Sequence, residues 1–183
     1  MSRERAILER FLRAEAMAKY ALRSAMKEVP EGIRDFLRRQ EAQEAVHQER
    51  FERVTGLKAR ERVDLPKMPA QWNACAVRLL GYEALGFEFA KLALAETSGE
   101  TREMVTEILA DEEEHVRFYE KALEGILAEG GPRAEETRMM SAAFLRRLPK
   151  TVQRYLRGAE LETLEGSILA GVRHRFHKLG ISI

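Results

Sequence analysis

Four long stretches of this chain hold a helical repeat of apolar residues, and each apolar seam is broken once, near its middle, by an acid. The first seam runs Leu8, Phe11, Glu15, Ala18, Leu22. The second runs Ile33, Phe36, Gln40, Glu44, His47, Phe51, the third Leu79, Glu83, Gly86, Ala90, and the fourth Ile108, Glu112, His115, Tyr119, Ala122. Six ionisable groups buried at one level of a helical core cost several kcal/mol each if unpaired. No Lys or Arg stands on these seam positions, so a metal is the remaining compensator. Glu44 with His47, and Glu112 with His115, are i, i+3 pairs that project from one helix face toward a common point.

The breakers fall between these stretches, which makes the chain all-α. The periodicity predicts a helix from Arg3 to Val29, stopped by Pro30, and a second from Glu31 to Val54, closed by Gly56. Residues 57–70 carry Pro66 and Pro69 without an apolar repeat and read as a crossover connection. A third helix is expected from Ala70 to Thr97 and a fourth from Glu100 to Glu129, ended by Gly130, Gly131 and Pro132. The expected fold is a four-helix bundle of two antiparallel hairpins over residues 1–131. Residues 132–183 form a C-terminal helical extension. Its two or three segments, split near Pro149 and Gly158, should pack on the bundle or on a partner subunit through Leu161, Leu164, Ile168, Val172, Phe176 and Leu179.

Register supports the hairpins. Glu15 precedes Glu44 by 29 residues and Glu83 precedes Glu112 by 29, with the turn near the middle of each interval. At about 1.5 Å per residue each glutamate stands roughly 21 Å from its turn, so hairpin partners meet at one height.

Composition narrows the function. The 183 residues suit one domain, perhaps with an appendage, and 31 basic against 30 acidic side chains leave no overall electrostatic footprint for nucleic acid. One cysteine, Cys75, excludes a disulfide scaffold and a four-thiolate metal knuckle. No apolar run approaches the roughly 18 residues of a membrane span, and MSRERAILER has no apolar signal core, so a cytoplasmic protein is expected. The ligand atoms are carboxylate oxygen and imidazole nitrogen without thiolate, which favours iron or manganese over structural zinc.

On these residues the chain resembles the ferritin-like di-iron carboxylate superfamily, in which two helices each give one Glu and two give Glu-x-x-His. The likeness covers residues 3–129, and DEEEHVRFYEKAL around His115 is most similar to the rubrerythrin-like branch. It implies two iron ions, with manganese an option at either position, held by Glu15, Glu44, His47, Glu83, Glu112 and His115, Glu44 and Glu112 bridging. It also implies an oxidoreductase of the peroxidase, oxidase or hydroxylase kind, acting on dioxygen or hydrogen peroxide with an external electron donor, as a homo-oligomer, a dimer being favoured. Ferritin-type iron oxidation and storage is the alternative, and a tRNA-modifying hydroxylase is a third. The chain departs from rubrerythrins in having Gly86 and Phe87 where they place a further glutamate, and in lacking their four-cysteine iron site.

Around the ligands, Asp111 and Gln43 occupy matching places, one turn before each histidine. Each is expected to accept a proton from the opposite helix's histidine or else to be solvated. Tyr119 reads as a core aromatic or an electron donor, and Glu88 as a surface group or one behind the ligands. Gly81 and Gly86 serve close packing or an open volume for oxidant beside Glu83. Cys75 reads as a small buried residue, and His174 with His177 as part of a basic surface face. Residues 133–183 carry 10 basic and 5 acidic residues, a net +5.

Overall fold

The computed structural model describes residues 3–26, 29–59, 67–156 and 161–182, and among them the regular secondary structure is all helical. Six α-helices follow in order: α1 Arg3–Ala25, α2 Glu31–Thr55, α3 Trp72–Glu96, α4 Gly99–Ala128, α5 Gly131–Leu156 and α6 Glu165–Lys178, with a 3-10 turn at Glu162–Leu164 before the last.

Side-chain pairs fix the directions. Phe11 meets Phe51 and Glu15 meets His47, so α1 and α2 are antiparallel. Tyr119 meets Gln40, His47 meets Asp111 and Arg50 meets Glu107, so α2 and α4 are antiparallel too. Glu83 lies against His115 and Gly86 against Glu112, which opposes α3 and α4. It follows that α2 and α3 point the same way. The chain between Thr55 and Trp72 must therefore travel the length of the bundle, about 37 Å at 1.5 Å per residue. Sixteen residues at about 3.3 Å each reach that far. Residues 60–66 of this connection, including Pro66, lie outside the described residues.

The third helix is the hub, packing against α1, α4, α5 and α6. Its composition explains why: Ala, Leu, Val, Cys and Phe stand on nearly every side, and a helix apolar all round must be covered all round. Two small residues let its neighbours approach. The Phe144 ring of α5 occupies the place a Cβ at Gly81 would take, and the Glu88 carboxyl of α3 does the same at Gly171 of α6. Close packing thus accounts for Gly81.

Several boundaries differ from the sequence reading. The first helix ends at Ala25 rather than Val29, with residues 27–28 outside the described set. The fifth helix starts at once at Gly131 and passes straight through Pro149 instead of breaking there. An interior proline costs about 3 kcal/mol. Leu145, Leu148, Val152, Tyr155 and Leu156 are buried on both sides of it, and at about 1.5–3 kcal/mol per buried apolar side chain they outweigh that cost. The expected split at Gly158 lies outside the described residues.

The C-terminal segment packs on the bundle. Leu161, Ile168, Val172 and Phe176 are buried, with Leu164 and Leu179 partly so, and α6 rests on α3 and α5. Arg175 fastens α6 to α4: its guanidinium sits 2.6 Å from Glu113 Oε2, 3.5 Å from Glu120 Oε1 and 4.7 Å from the Phe87 ring centroid. His174 and His177 are exposed. Glu88 is not a surface group: α6 covers it, and Lys91 Nζ reaches its two oxygens at 2.9 and 3.1 Å. Among the described residues no helix is long and apolar enough to cross a membrane.

Candidate metal centre

The bundle interior holds Glu15 from α1, Glu44 and His47 from α2, Glu83 from α3, and Glu112 and His115 from α4, all at most 3% exposed. Two sets of four form there. Glu15, Glu44, His47 and Glu112 offer ligand atoms all within 4.8 Å of one another, and so do Glu44, Glu83, Glu112 and His115. Glu44 and Glu112 belong to both sets, so the two positions adjoin and share two carboxylates.

Each histidine turns Nδ1 inward. His47 Nδ1 stands 3.4 Å from Glu15, 3.8 Å from Glu112 and 4.0 Å from Glu44. His115 Nδ1 stands 3.3 Å from Glu44, 3.4 Å from Glu83 and 3.8 Å from Glu112. These approaches lack hydrogen-bond geometry. Glu15 Oε2, both oxygens of Glu44 and of Glu83, Glu112 Oε1 and both Nδ1 atoms are buried with no partner. Buried polar atoms are rarely left so, because each costs about 1–3 kcal/mol and charged ones more. Eight of them gathered in one cluster suit metal cations.

Electrostatics point the same way. Burial, then the neighbouring carboxylates Glu44 and Glu112, hold the Glu15 carboxyl well above its usual range, and burial with Glu44 and Glu83 does the same to Glu112. Glu83 is also raised, burial leading. Burial pushes Glu44 up as well, but the imidazole of His115 close beside it, with help from Glu15 and His47, leaves it below its usual range. Burial opposes the charged form of His115, yet Glu44 and Glu83 outweigh it and carry the imidazole up to about 11. Without a cation the cluster keeps protons that a cation would displace.

Outside this ring lies a hydrogen-bonded chain. His47 Nε2 donates to Asp111 Oδ2 at 2.9 Å, Gln43 Nε2 donates to Asp111 Oδ1 at 3.2 Å, and His115 Nε2 donates to Gln43 Oε1 at 3.1 Å. The Asp111 carboxyl accepts from the Gln43 amide and so leaves the amide carbonyl facing His115. Both histidines thereby carry hydrogen on Nε2 and present Nδ1 to the cluster. Asp111 and Gln43 therefore serve as acceptors across the helix pair.

Tyr119 is fully buried and donates to Gln40 Oε1 at 2.6 Å. Burial, then the Glu83 charge, push its phenol well above its usual value. Gln40 also stands near Glu83 and favours its ionised form, but its Nε2 is buried without a hydrogen-bond partner. The sequence reading gave Gln40 no part. Its signal was a polar residue on an apolar seam one turn before Glu44, where the other seams carry Phe11, Leu79 and Ile108.

Gly86 serves close approach, the first of its two expected roles, rather than an open volume. A Cβ there would lie 3.1 Å from Glu112 Oε2, so the room expected for an oxidant is taken by the ligand carboxylate itself. Cys75 is buried, and burial pushes its thiol up to about 12, an inert small residue.

Compared with known protein families, with curated proteins and with solved structures, the chain finds no match. The functional reading rests on the chemistry of these side chains.

Proposed function

We propose that this chain is a dinuclear metal oxidoreductase that holds two iron ions, or iron with manganese, and reacts with dioxygen or hydrogen peroxide. The observation that carries the reading is the pair of four-ligand sets that share Glu44 and Glu112. When bound, such a metal pair supplies one-electron changes at adjoining positions, which suits a two-electron oxidant.

The residues divide the remaining work. Glu15 with His47 and Glu83 with His115 would hold the two positions, and Asp111 and Gln43, by accepting the Nε2 hydrogens, aim both Nδ1 atoms at them. Burial excludes bulk water from the carboxylates. Tyr119, which donates to Gln40 and feels the Glu83 charge, is a buried phenol placed to supply an electron and a proton from within the chain. With the Cys75 thiol inert, sustained turnover draws electrons from an external donor or an organic substrate.

The experiment is rapid mixing of the anaerobically iron(II)-loaded chain with dioxygen and, separately, with hydrogen peroxide, followed by absorbance. The expected result is a fast oxidation phase limited to about two iron per chain and lost in the His47→Ala/His115→Ala double variant. An equal rate in that variant contradicts the reading. Iron uptake continuing far beyond two per chain would instead favour storage.

A further inference from the structure

A cleft of about 500 Å³ opens on the side of α3 turned away from Glu83, between α3 and α5, with Met17 of α1 in its floor. From α3 it takes Ala74, Val77, Arg78, Tyr82 and Leu85, one helical stripe roughly opposite the ligand glutamate. From α5 it takes a stripe running from Met140 to Tyr155 at spacings of three and four. Its volume lies within the range of roughly 300–1,000 Å³ typical of small-molecule sites. The metal reading neither uses this cleft nor depends on it.

Two features of the lining restrict what fits. The body is apolar, formed by Met17, Val77, Leu85, Met140, Phe144 and Leu148. The rim is cationic: Arg78, Arg147 and Arg154 line the cleft, and among the described residues no Asp or Glu does. Arg147 and Arg154 stand two turns apart on one face of α5, exposed, with no carboxylate partner among the described residues. Arg78 faces them from α3, its Nη1 donating to the Lys67 carbonyl at 3.0 Å. A small inorganic anion would leave the apolar body wet, and a neutral hydrocarbon would leave three guanidinium groups without a counter-charge. The complementary molecule joins an aliphatic body to one anionic head, and the planar guanidinium fork suits a carboxylate. A second copy presenting the same face would set like charges together.

We propose that the α3–α5 cleft binds a medium-chain aliphatic carboxylate, its chain along the apolar floor and its head among Arg78, Arg147 and Arg154.

The test is calorimetric titration of the full chain with dodecanoate below its micelle concentration, with dodecanol as the uncharged control and phosphatidylglycerol vesicles as a separate arm. The expected result is saturable binding of one dodecanoate per chain, at least tenfold tighter than dodecanol. Arg147→Gln/Arg154→Gln should weaken it at least tenfold with unchanged helicity. Ala143→Trp and Thr151→Trp both fill half-buried positions in the cleft, so either variant that folds should abolish binding. Equal affinity for dodecanol overturns the proposal, as does binding that survives a folded filling variant. Arginine-dependent binding to the vesicles but not to free dodecanoate overturns it in favour of a lipid surface. A stable dimer closing this face against dodecanoate overturns it in favour of self-association.

Discussion

The two halves of the centre repeat each other at a constant interval and differ in what surrounds them. Adding 68 to a position in the first hairpin gives its counterpart in the second, as Gln43 and Asp111 show. The same step carries Glu15 to Glu83, Glu44 to Glu112 and His47 to His115. Beyond the ligands the symmetry stops. His47 donates to a carboxylate and His115 to an amide. Phe51 packs edge-on against Phe11 at 5.1 Å, whereas its counterpart Tyr119 donates to Gln40, whose own counterpart is Ile108. The inner ring repeats the same donors, a glutamate from one helix and a Glu-x-x-His pair from the next, as two adjoining metal positions would require. The outer ring is free to diverge, and one half has become apolar beside a charged acceptor, the other polar beside a neutral one.

The largest effect should come from the ligands common to both halves. His47→Ala and His115→Ala should each lose one or both of about two metal ions per chain, read by elemental analysis, and a fully loaded double variant would remove the basis of the comparison. Next come the acceptors. Asp111→Asn should weaken zinc binding about 10–100-fold in chelator competition. Gln43→Leu should weaken it less, since a neutral acceptor gives a hydrogen bond about half as strong as a charged one. Equal losses would show that the two histidines are held alike.

Proton linkage affects both halves. Glu15, Glu83 and Glu112 have folded pKa values above the unfolded value of 4.5, and His115 rises from 6.5 to about 11. Each contributes stability that is complete below its unfolded pKa and is lost as pH rises through the folded one; lowered Glu44 acts oppositely, in acid only. The metal-free chain should therefore melt lower at pH 9 than at pH 6, by about 6 °C for roughly 2 kcal/mol. The metal-loaded chain should change little, because the cation replaces those protons. A metal-free chain whose melting temperature rises over this interval would contradict the buried cluster. The smallest effect concerns the outer ring: Tyr119→Phe leaves Gln40 Oε1 without its donor and should cost about 1–2 kcal/mol in chemical denaturation, with metal content kept. A neutral Tyr119→Phe would make the polar half no different in kind from the apolar one.

Helical periodicity and ligand register were legible in the sequence because both are local or arithmetic properties: a seam of period 3.6, and equal intervals about two turns. That is why Glu15 and Glu83, which carry no local signature of their own, could be placed beside the Glu-x-x-His pairs. Properties that depend on which helix covers which face were not legible. Glu88 lies off the ligand face, and only the arrival of Gly171 on α6 buries it. Gly86 has no side chain to report what fills its place, and only the register of α4 sets the Glu112 carboxylate there. Pro149 ends a helix by local rules, and it is tolerated in α5 because tertiary burial on both sides exceeds its cost. Gln40 was visible on its seam but acquires meaning only through Tyr119, 79 residues away.

The central claim is that Glu44 and Glu112 are shared between two adjoining metal positions. Anaerobic titration of the metal-free chain with iron(II), in the parent protein and in Glu44→Ala, measures it most directly. The account predicts saturation at about two equivalents in the parent and loss from both positions in the variant, because one carboxylate serves both sets. Saturation at one equivalent or none in the parent, or a variant that loses a single ion and keeps the other at full affinity, would contradict it.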